Sequence, residues 1–195
     1  MPSALRIKEI RDLEDNVMMS NGALTENVSL ESASFPAGHI IQTVTEYKTD
    51  TETISGYSGY VDIDFQCQIT PKFSNSKILV SVNIEAAGGG SNYTLSFKLL
   101  RDSTEIGLAD ALSSRPRTFG VIGAQPWSNY VRSYMSKQFL DTPPIPSTPI
   151  PITYKMQARD NRDGGYILIN RQWYDYDGGS HSTGTSSIVL QEISQ

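Results

Sequence analysis

The sequence predicts an all-β protein, an antiparallel β-sandwich preceded by a short N-terminal segment. From His39 onward, apolar and polar residues alternate in a series of short stretches, which is the period of a strand with one buried face. Gly, Pro, Asn and Ser separate these stretches, as turn residues do between strands. No stretch of this part shows the 3.6-residue period of an amphipathic helix.

The clearest strand is predicted at residues 61–69, where five apolar residues alternate with four polar ones. About ten short strands separated by turns favour a sandwich over a meander or a parallel sheet. A jelly roll is the first choice of topology, and an immunoglobulin-like sandwich is the second. Further strands are predicted at residues 77–85, 93–99, 104–108, 118–122, 130–140, 153–159, 166–171 and 187–193.

The N-terminal part, residues 1–35, is predicted to be an anchoring segment and neck, and residues 36–195 form the body. Ile10, Leu13 and Val17 have the i, i+3, i+7 spacing of a helix face, whereas Leu5 and Ile7 alternate with polar residues as in a strand. The segment is therefore helical or extended, with the helix favoured. Two apolar turns are too short to be stable alone, so we expect them to pack on another protein.

Composition excludes several classes of protein. The 195 residues carry a net charge of −5, and the 16 basic residues are scattered, so we expect no binding to nucleic acid. No apolar run resembles a signal peptide or a membrane span, so we expect a soluble protein without membrane insertion. The single cysteine, Cys67, excludes an intrachain disulfide and is predicted to be a buried core thiol.

No catalytic or cofactor site is predicted. The only two histidines, His39 and His181, have no Ser or Cys nearby in the context of a known nucleophile. Asp62 and Asp64 lie two residues apart, and we interpret them as an outward polar row of a strand rather than a glycosidase pair. The chain is therefore predicted not to be an enzyme and to need no cofactor.

Two loops deserve separate interpretation. Residues 175–179, with Asp175 and Asp177, resemble the start of an EF-hand loop, but the glutamate at its twelfth position is missing, so a hairpin loop is favoured over a calcium site. Residues 142–151 hold five prolines and cannot join a ladder, so they are predicted to form an extended crossover loop; a contact arm is the alternative.

Aromatic residues are concentrated late in the chain. Packing in the core or at a subunit interface is their more common role, but Trp and Tyr in loops also contact carbohydrate and protein surfaces. The cluster at residues 173–177 is the first place to look for such a contact. The candidate contact residues are Trp127, Trp173, Tyr174 and Tyr176.

Several stretches resemble successive blocks of a family of tailed-phage virion proteins, common in phages of aquatic bacteria and labelled tail fibre or structural protein. The resemblance runs in order over residues 35–193. It is carried by residues 35–44, 69–80, 139–143, 153–157 and 187–193, and by the Leu-Leu-Arg-Asp turn that precedes Ile106 and Gly107.

The resemblance implies a β-sandwich knob that forms a homotrimer at the virion surface. It implies that the leader attaches the knob to other virion proteins, and that the protein is made in the host cytoplasm. Contact of the knob with a glycan or protein on the host surface is consistent with this resemblance. Fewer than 40 residues precede the body, which is short for a fibre. A capsid decoration or cement protein at threefold positions is therefore the alternative, and a carbohydrate-binding or depolymerising module using Asp62, Asp64 or Asp175 is the third hypothesis.

Overall fold

A computed structural model describes residues 9–11, 17–20, 23–24, 35–88, 94–123, 132–162, 164–179 and 181–195. The chain divides into two compact units, Met1–Pro36 and Ala37–Gln195. Among the described residues all regular structure is β-strand, and no helix that could cross a membrane is found there. The all-β prediction is thus confirmed.

The first unit contains a small antiparallel sheet made of β1 (Glu9–Arg11), β2 (Val17–Ser20) and β3 (Ala23–Leu24). Of the predicted anchor residues, Ile10 lies in β1 opposite Met19, and Val17 lies in β2 opposite Arg11. The favoured helix is therefore wrong for these residues, because they pair across two strands instead of sharing one helix face. The anchor candidates Leu5, Ile7 and Leu13 lie outside the described residues.

The second unit is a sandwich of two antiparallel sheets. One sheet has the order β4-β14-β7-β13-β5, with β11 also paired to β7, and the other has the order β10-β8-β12-β6, with β9 paired to β8. The strands are β4 (Ile40–Lys48), β5 (Glu52–Ser55), β6 (Val61–Ile69), β7 (Lys77–Gly88), β8 (Thr94–Arg101), β9 (Thr104–Ile106), β10 (Gly120–Gly123), β11 (Ser133–Asp141), β12 (Ile152–Asp160), β13 (Tyr166–Ile169) and β14 (Ser186–Ile193).

The strand order is that of a jelly roll, as predicted. Eight of the strands pair from the outside inward, β4 with β14, β6 with β12, β7 with β11 and β8 with β10. This nesting amounts to one long hairpin rolled into two sheets, closed by the pairing of β14 with β7 and of β12 with β8. Such rolling leaves a single core between two four-stranded layers. The short strands β5 and β13 extend the β4 sheet at one end.

The core lies between the two sheets and follows the alternation of the sequence. In β6 every second residue from Ile63 to Ile69 is buried, and the residues between them are exposed. Cys67 belongs to this buried row, with 4% of its surface exposed, so the predicted core thiol is confirmed. Burial raises the pKa of the Cys67 thiol to about 11, because the thiolate would lose its hydration there.

Two contacts hold the sheets together at one edge. Tyr154 of β12 donates a hydrogen bond to Asp141 of β11 at 2.7 Å, and Arg101 donates to both oxygens of that carboxylate at 2.7 and 2.9 Å. Burial, and then the bond to Asp141, raise the pKa of the Tyr154 phenol above its usual value. Nearby, a side chain at Gly120 would overlap the sulfur of Met135, so glycine permits β10 and β11 to approach.

Two segments between the predicted strands are the short strand Glu52–Ser55 and the proline-rich loop. The short strand Glu52–Ser55 was not predicted, because its four residues show too little alternation to separate them from a loop. The proline-rich residues 142–151 form no strand and cross from β11 to β12 in the opposite sheet, as predicted. This loop is not wholly superficial, since Pro143 is buried and Ile145 packs against the core.

Candidate surface-contact sites

The centre of the outer side of the β4 sheet forms a surface that we call the uncharged face; the outward row of β7 continues beyond it to Lys77 at one end and Glu85 at the other. Side chains alternate along a strand, and the neighbours of these positions in β7 and β14 are buried, so the strand register places three central rows of four side chains on the outside. The rows are Thr43, Gln191, Leu79 and Leu140; Thr45, Val189, Ser81 and Gln138; and Tyr47, Ser187, Asn83 and Ser136. None of these side chains is charged.

The polar groups of the uncharged face bond largely to one another. Gln138 donates to the Ser81 hydroxyl at 3.1 Å, and Asn83 donates to the Ser187 hydroxyl at 3.3 Å. Gln191 donates to Thr43 at 3.5 Å. Covering this face would therefore leave few polar groups without a partner, which lowers the desolvation cost of an interface.

The outer side of the opposite sheet is different, and we call it the charged face. Lys155 lies 2.8 Å from Asp62, and Gln157 donates to the same carboxylate at 2.7 Å. These two bonds hold the pKa of Asp62 below its usual value. Lys98 likewise pairs with Glu105. An aspartate kept ionised in this way is a poor general acid, which agrees with interpreting Asp62 as part of an outward polar row.

A buried carboxylate joins the sequence blocks that carry the phage resemblance. Glu192 is fully buried and accepts hydrogen bonds from the backbone N–H groups of Lys72 (2.8 and 2.9 Å) and Phe73 (3.0 Å). It also accepts from the Ser76 hydroxyl and from Gln42, both at 2.7 Å. Residues 35–44, 69–80 and 187–193 therefore meet at one structural node, which explains those blocks through folding rather than through a binding site.

A second polar cluster surrounds Lys48, which is buried at the end of β4. Its ammonium lies 3.1 Å from Asp50 and 3.3 Å from Glu52. Burial alone would lower the pKa of Lys48, but hydrogen bonds and attraction to Asp50 and Glu52 outweigh that effect and raise it. Lys48 stays protonated and internally paired, so the adjoining cleft of ≈ 350 Å³ holds no neutral lysine that could act as a base.

The aromatic cluster predicted from the sequence lies in the loop from Asn170 to Gly184, which we call the aromatic loop. Its two ends are joined, because Gly184 N–H donates to the Asn170 carbonyl at 2.9 Å. Asn170 has a positive φ of 58° and is fully buried. Its amide donates to the carbonyls of Lys48 and Asp50 at 2.8 and 2.9 Å and accepts from Ser186 at 2.7 Å. The loop thus has a firmly bonded base.

The structure separates the predicted contact residues of this loop. Trp173 is half-buried, and its ring meets the edge of Tyr166 with centroids 4.6 Å apart. Tyr174 and Tyr176 are 47% and 60% exposed. Trp127 lies outside the described residues. The contact role of these residues remains a prediction, but their exposure differs in a way that the sequence did not reveal.

Tyr176 lines a shallow pocket of ≈ 580 Å³, which we call the Tyr176 pocket. The ring of Tyr176 contacts the ring of His181 in a tilted arrangement, with centroids 4.0 Å apart and an angle of 51° between the planes. Arg171 lies 3.1 Å from Asp175 and offsets the charge of that carboxylate. His181 was not a predicted contact, because only the fold of the loop brings it to Tyr176. The lining residues are Asp175, Tyr176, Asp177, Gly178, His181, Ser182 and Thr183.

Metal binding finds no support in this part of the chain. Among the residues that the structure describes, no group of three or more His, Cys, Asp or Glu side chains could hold an ion. Asp175 is directed to Arg171 rather than to a shared centre with Asp177. The aromatic loop is therefore a surface of rings, hydroxyls and carboxylates.

Comparison with known proteins adds little to these observations. No family model matches the chain, and no curated protein matches it. Among solved structures, the chain is similar to one in the "Structure of infectious bursal disease virus Gt strain", with a TM-score of 0.42 and 9% sequence identity. The match covers 80% of this chain and 40% of that chain. So low a TM-score does not establish a relationship between the two proteins.

Proposed function

We propose that this protein is a non-enzymatic structural component of a tailed-phage virion. In this proposal the body, residues 36–195, is a trimeric short fibre or knob, residues 1–35 anchor it to the particle, and the aromatic loop contacts the host surface. The ordered sequence blocks support the phage assignment. The jelly roll is compatible with it, since this fold serves viral capsid domains as well as lectins.

The uncharged face is the observation that carries the proposal of self-association. Each chain has a net charge of −5, so copies repel one another wherever carboxylates meet. A face whose central rows carry no charged side chain lowers this cost, and depletion of charge is typical of the centre of protein interfaces. Tyr47 and Leu140, at its margins, are 63% and 48% exposed and offer apolar contact area. Three copies placed around one axis could each turn this face inward.

The assembly is tested by light scattering combined with size-exclusion chromatography. We expect a mass near three times 21.5 kDa at protein concentrations of about 1–10 μM, a range in which a standard-size interface remains closed. A single-chain mass over this range would contradict the trimer. A dimer would retain self-association but overturn the threefold arrangement.

The location on the particle decides between a fibre or knob and the capsid decoration alternative. Antibody-gold labelling of intact particles should place the protein at the tail for a fibre, and label over the shell would favour a decoration or cement protein. A variant lacking residues 1–34 should fold but fail to enter particles, because the body is a compact unit of its own. Normal incorporation of this variant would contradict the anchoring role.

A further inference from the structure

The ring of Tyr176 is fixed on one side and open on the other. The His181 ring contacts it at a tilt of 51° with centroids 4.0 Å apart, and a hydrogen bond from His181 N–H to the Gly178 carbonyl at 2.9 Å fixes the backbone of His181. Yet 60% of Tyr176 is exposed to solvent. An aromatic ring already held in position loses little conformational entropy when a ligand stacks on its free side.

The rest of the pocket is rich in hydrogen-bond acceptors and hydroxyls. Asp177 is exposed, and the hydroxyl-bearing residues Ser182 and Thr183 also line the pocket. Two arginines lie beside the pocket and each is already paired with a carboxylate. Arg171 pairs with Asp175, and Arg132, which also donates to the Ser182 hydroxyl at 3.3 Å, pairs with Glu85, so Asp177 is left as the carboxylate that neither arginine offsets. An anionic ligand would therefore meet a carboxylate without a compensating cation, whereas a neutral ligand with several hydroxyls could donate to it.

We infer that the Tyr176 pocket binds a neutral hexose-based glycan. A pyranose presents a face of C–H groups, which suits the electron-rich face of Tyr176, while its hydroxyls donate to Asp177 and exchange hydrogen bonds with Ser182. The volume of ≈ 580 Å³ lies within the range of ligand pockets, roughly 300–1,000 Å³. This inference rests on the host contact in the proposed function and specifies its ligand.

The base of the loop gives the pocket its shape before any ligand arrives. Besides the bonds of Asn170, the Ser182 carbonyl accepts a hydrogen bond from Arg132, which lies 3.1 Å from Glu85. A side chain at Gly184 would overlap the Glu85 carboxylate, so a larger residue there would have to displace Glu85 from Arg132. The pocket is thus supported by strands β7 and β14 rather than by loop residues alone, as a preformed site requires.

The experiment measures migration of the full-length protein through native gels that contain mannan, dextran or galactan, with hyaluronan as the anionic comparison. We expect retardation by at least one neutral polysaccharide and none by hyaluronan. Tyr176→Ala should weaken this binding by roughly tenfold or more, and Tyr176→Phe, which keeps the ring, should stay within about threefold of the wild type. Tyr57→Ala is the control, since Tyr57 is 55% exposed and lies outside the pocket.

Three results would overturn the inference: no retardation by any neutral polysaccharide, retardation by hyaluronan alone, or unchanged binding by Tyr176→Ala. Light scattering of the same samples tests assembly separately. A trimer without glycan binding rejects the glycan inference only, whereas a monomer that binds glycan rejects the trimer only. Circular dichroism of each variant shows whether a loss of binding accompanies a loss of fold.

Discussion

The two outer faces of the sandwich differ in chemistry although they are built from the same kind of strand. On the charged face, Lys155 with Asp62 and Lys98 with Glu105 form exposed ion pairs that suit contact with water. On the uncharged face, pairs such as Gln138 with Ser81 replace them. Both sheets contribute buried apolar residues to the one core, so the need for a core does not explain this difference. The difference fits the proposed assembly, in which one face would be covered by another copy and the other would stay in water.

The largest effect is expected for Glu192→Ala, which removes a buried carboxylate behind the uncharged face. Its effect on the free energy of unfolding can be compared with that of an exposed carboxylate on the charged face. The change leaves the backbone N–H groups of Lys72 and Phe73 buried without an acceptor, so the free energy of unfolding should fall by about 3–5 kcal/mol. Urea unfolding at one fixed protein concentration measures it.

The control for Glu192→Ala is the same substitution at Glu105, an exposed partner of Lys98 on the charged face. Exposed ion pairs contribute little, so Glu105→Ala should cost less than about 1 kcal/mol. Equal losses in the two variants would show that the buried Glu192 node contributes no more to stability than an exposed ion pair does.

The next effect compares the two faces directly through a matched pair of substitutions. Gln191 donates to Thr43 on the uncharged face, and Gln68 donates to Thr153 on the charged face. Gln191→Lys brings like charges together if that face is the trimer interface, and should raise the dissociation constant by roughly a hundredfold, or about 3 kcal/mol.

Gln68→Lys should leave the trimer intact, because its face stays in water. Sedimentation equilibrium of both variants over a concentration series measures the difference. Dissociation by Gln68→Lys but not by Gln191→Lys would move the interface to the charged face and reverse the comparison.

The smallest effect concerns the inner side of β6, directly behind the charged face. The pKa of Cys67 rises from 9.0 to about 11 on folding, so the folded protein binds the thiol proton more tightly than the unfolded chain. This stabilisation is complete below pH 9 and is lost as the pH rises through about 11, and it amounts to about 2–3 kcal/mol.

Unfolding by urea at a series of pH values from 8 to 11 tests this prediction. Cys67→Val should give a flatter profile, since it removes the titrating thiol and keeps an apolar side chain. Tyr154, whose pKa is also raised, lowers stability at the alkaline end of both profiles. Identical slopes for the two proteins would mean that the thiol is not kept from ionising by burial.

Much of the body could be predicted because alternation is a local property. Residues 61–69 were predicted with the bounds that the structure shows, because apolar and polar residues alternate there without interruption and so indicate which side chains face the core. The leader was harder, because the spacing of Ile10 and Val17 fits one face of a helix and therefore favoured that element. Only the pairing of β1 with β2 shows that these residues lie in strands. Short segments such as Glu52–Ser55 carry too few residues for any period.

The candidate contact site was predicted as a region but not in its details. Three aromatic residues, Trp173, Tyr174 and Tyr176, marked the loop, yet exposure is a property of the fold. Trp173 is half-buried and packs against Tyr166, whereas Tyr176 is exposed and contacts His181 on one side. No sequence pattern pairs residues 176 and 181, because the turn between them is defined by its backbone conformation.

The sequence by itself determined the class of fold, which residues of most strands face the core, and the absence of an intrachain disulfide. Those features depend on hydrophobicity at period two, which each strand carries alone. Only the tertiary structure decided which strands lie side by side. It thereby assembled the uncharged face from β4, β14, β7 and β11, and gathered Gln42, Ser76 and Glu192 at one point. Such neighbours are far apart in the chain, so they arise from packing and register rather than from any local pattern.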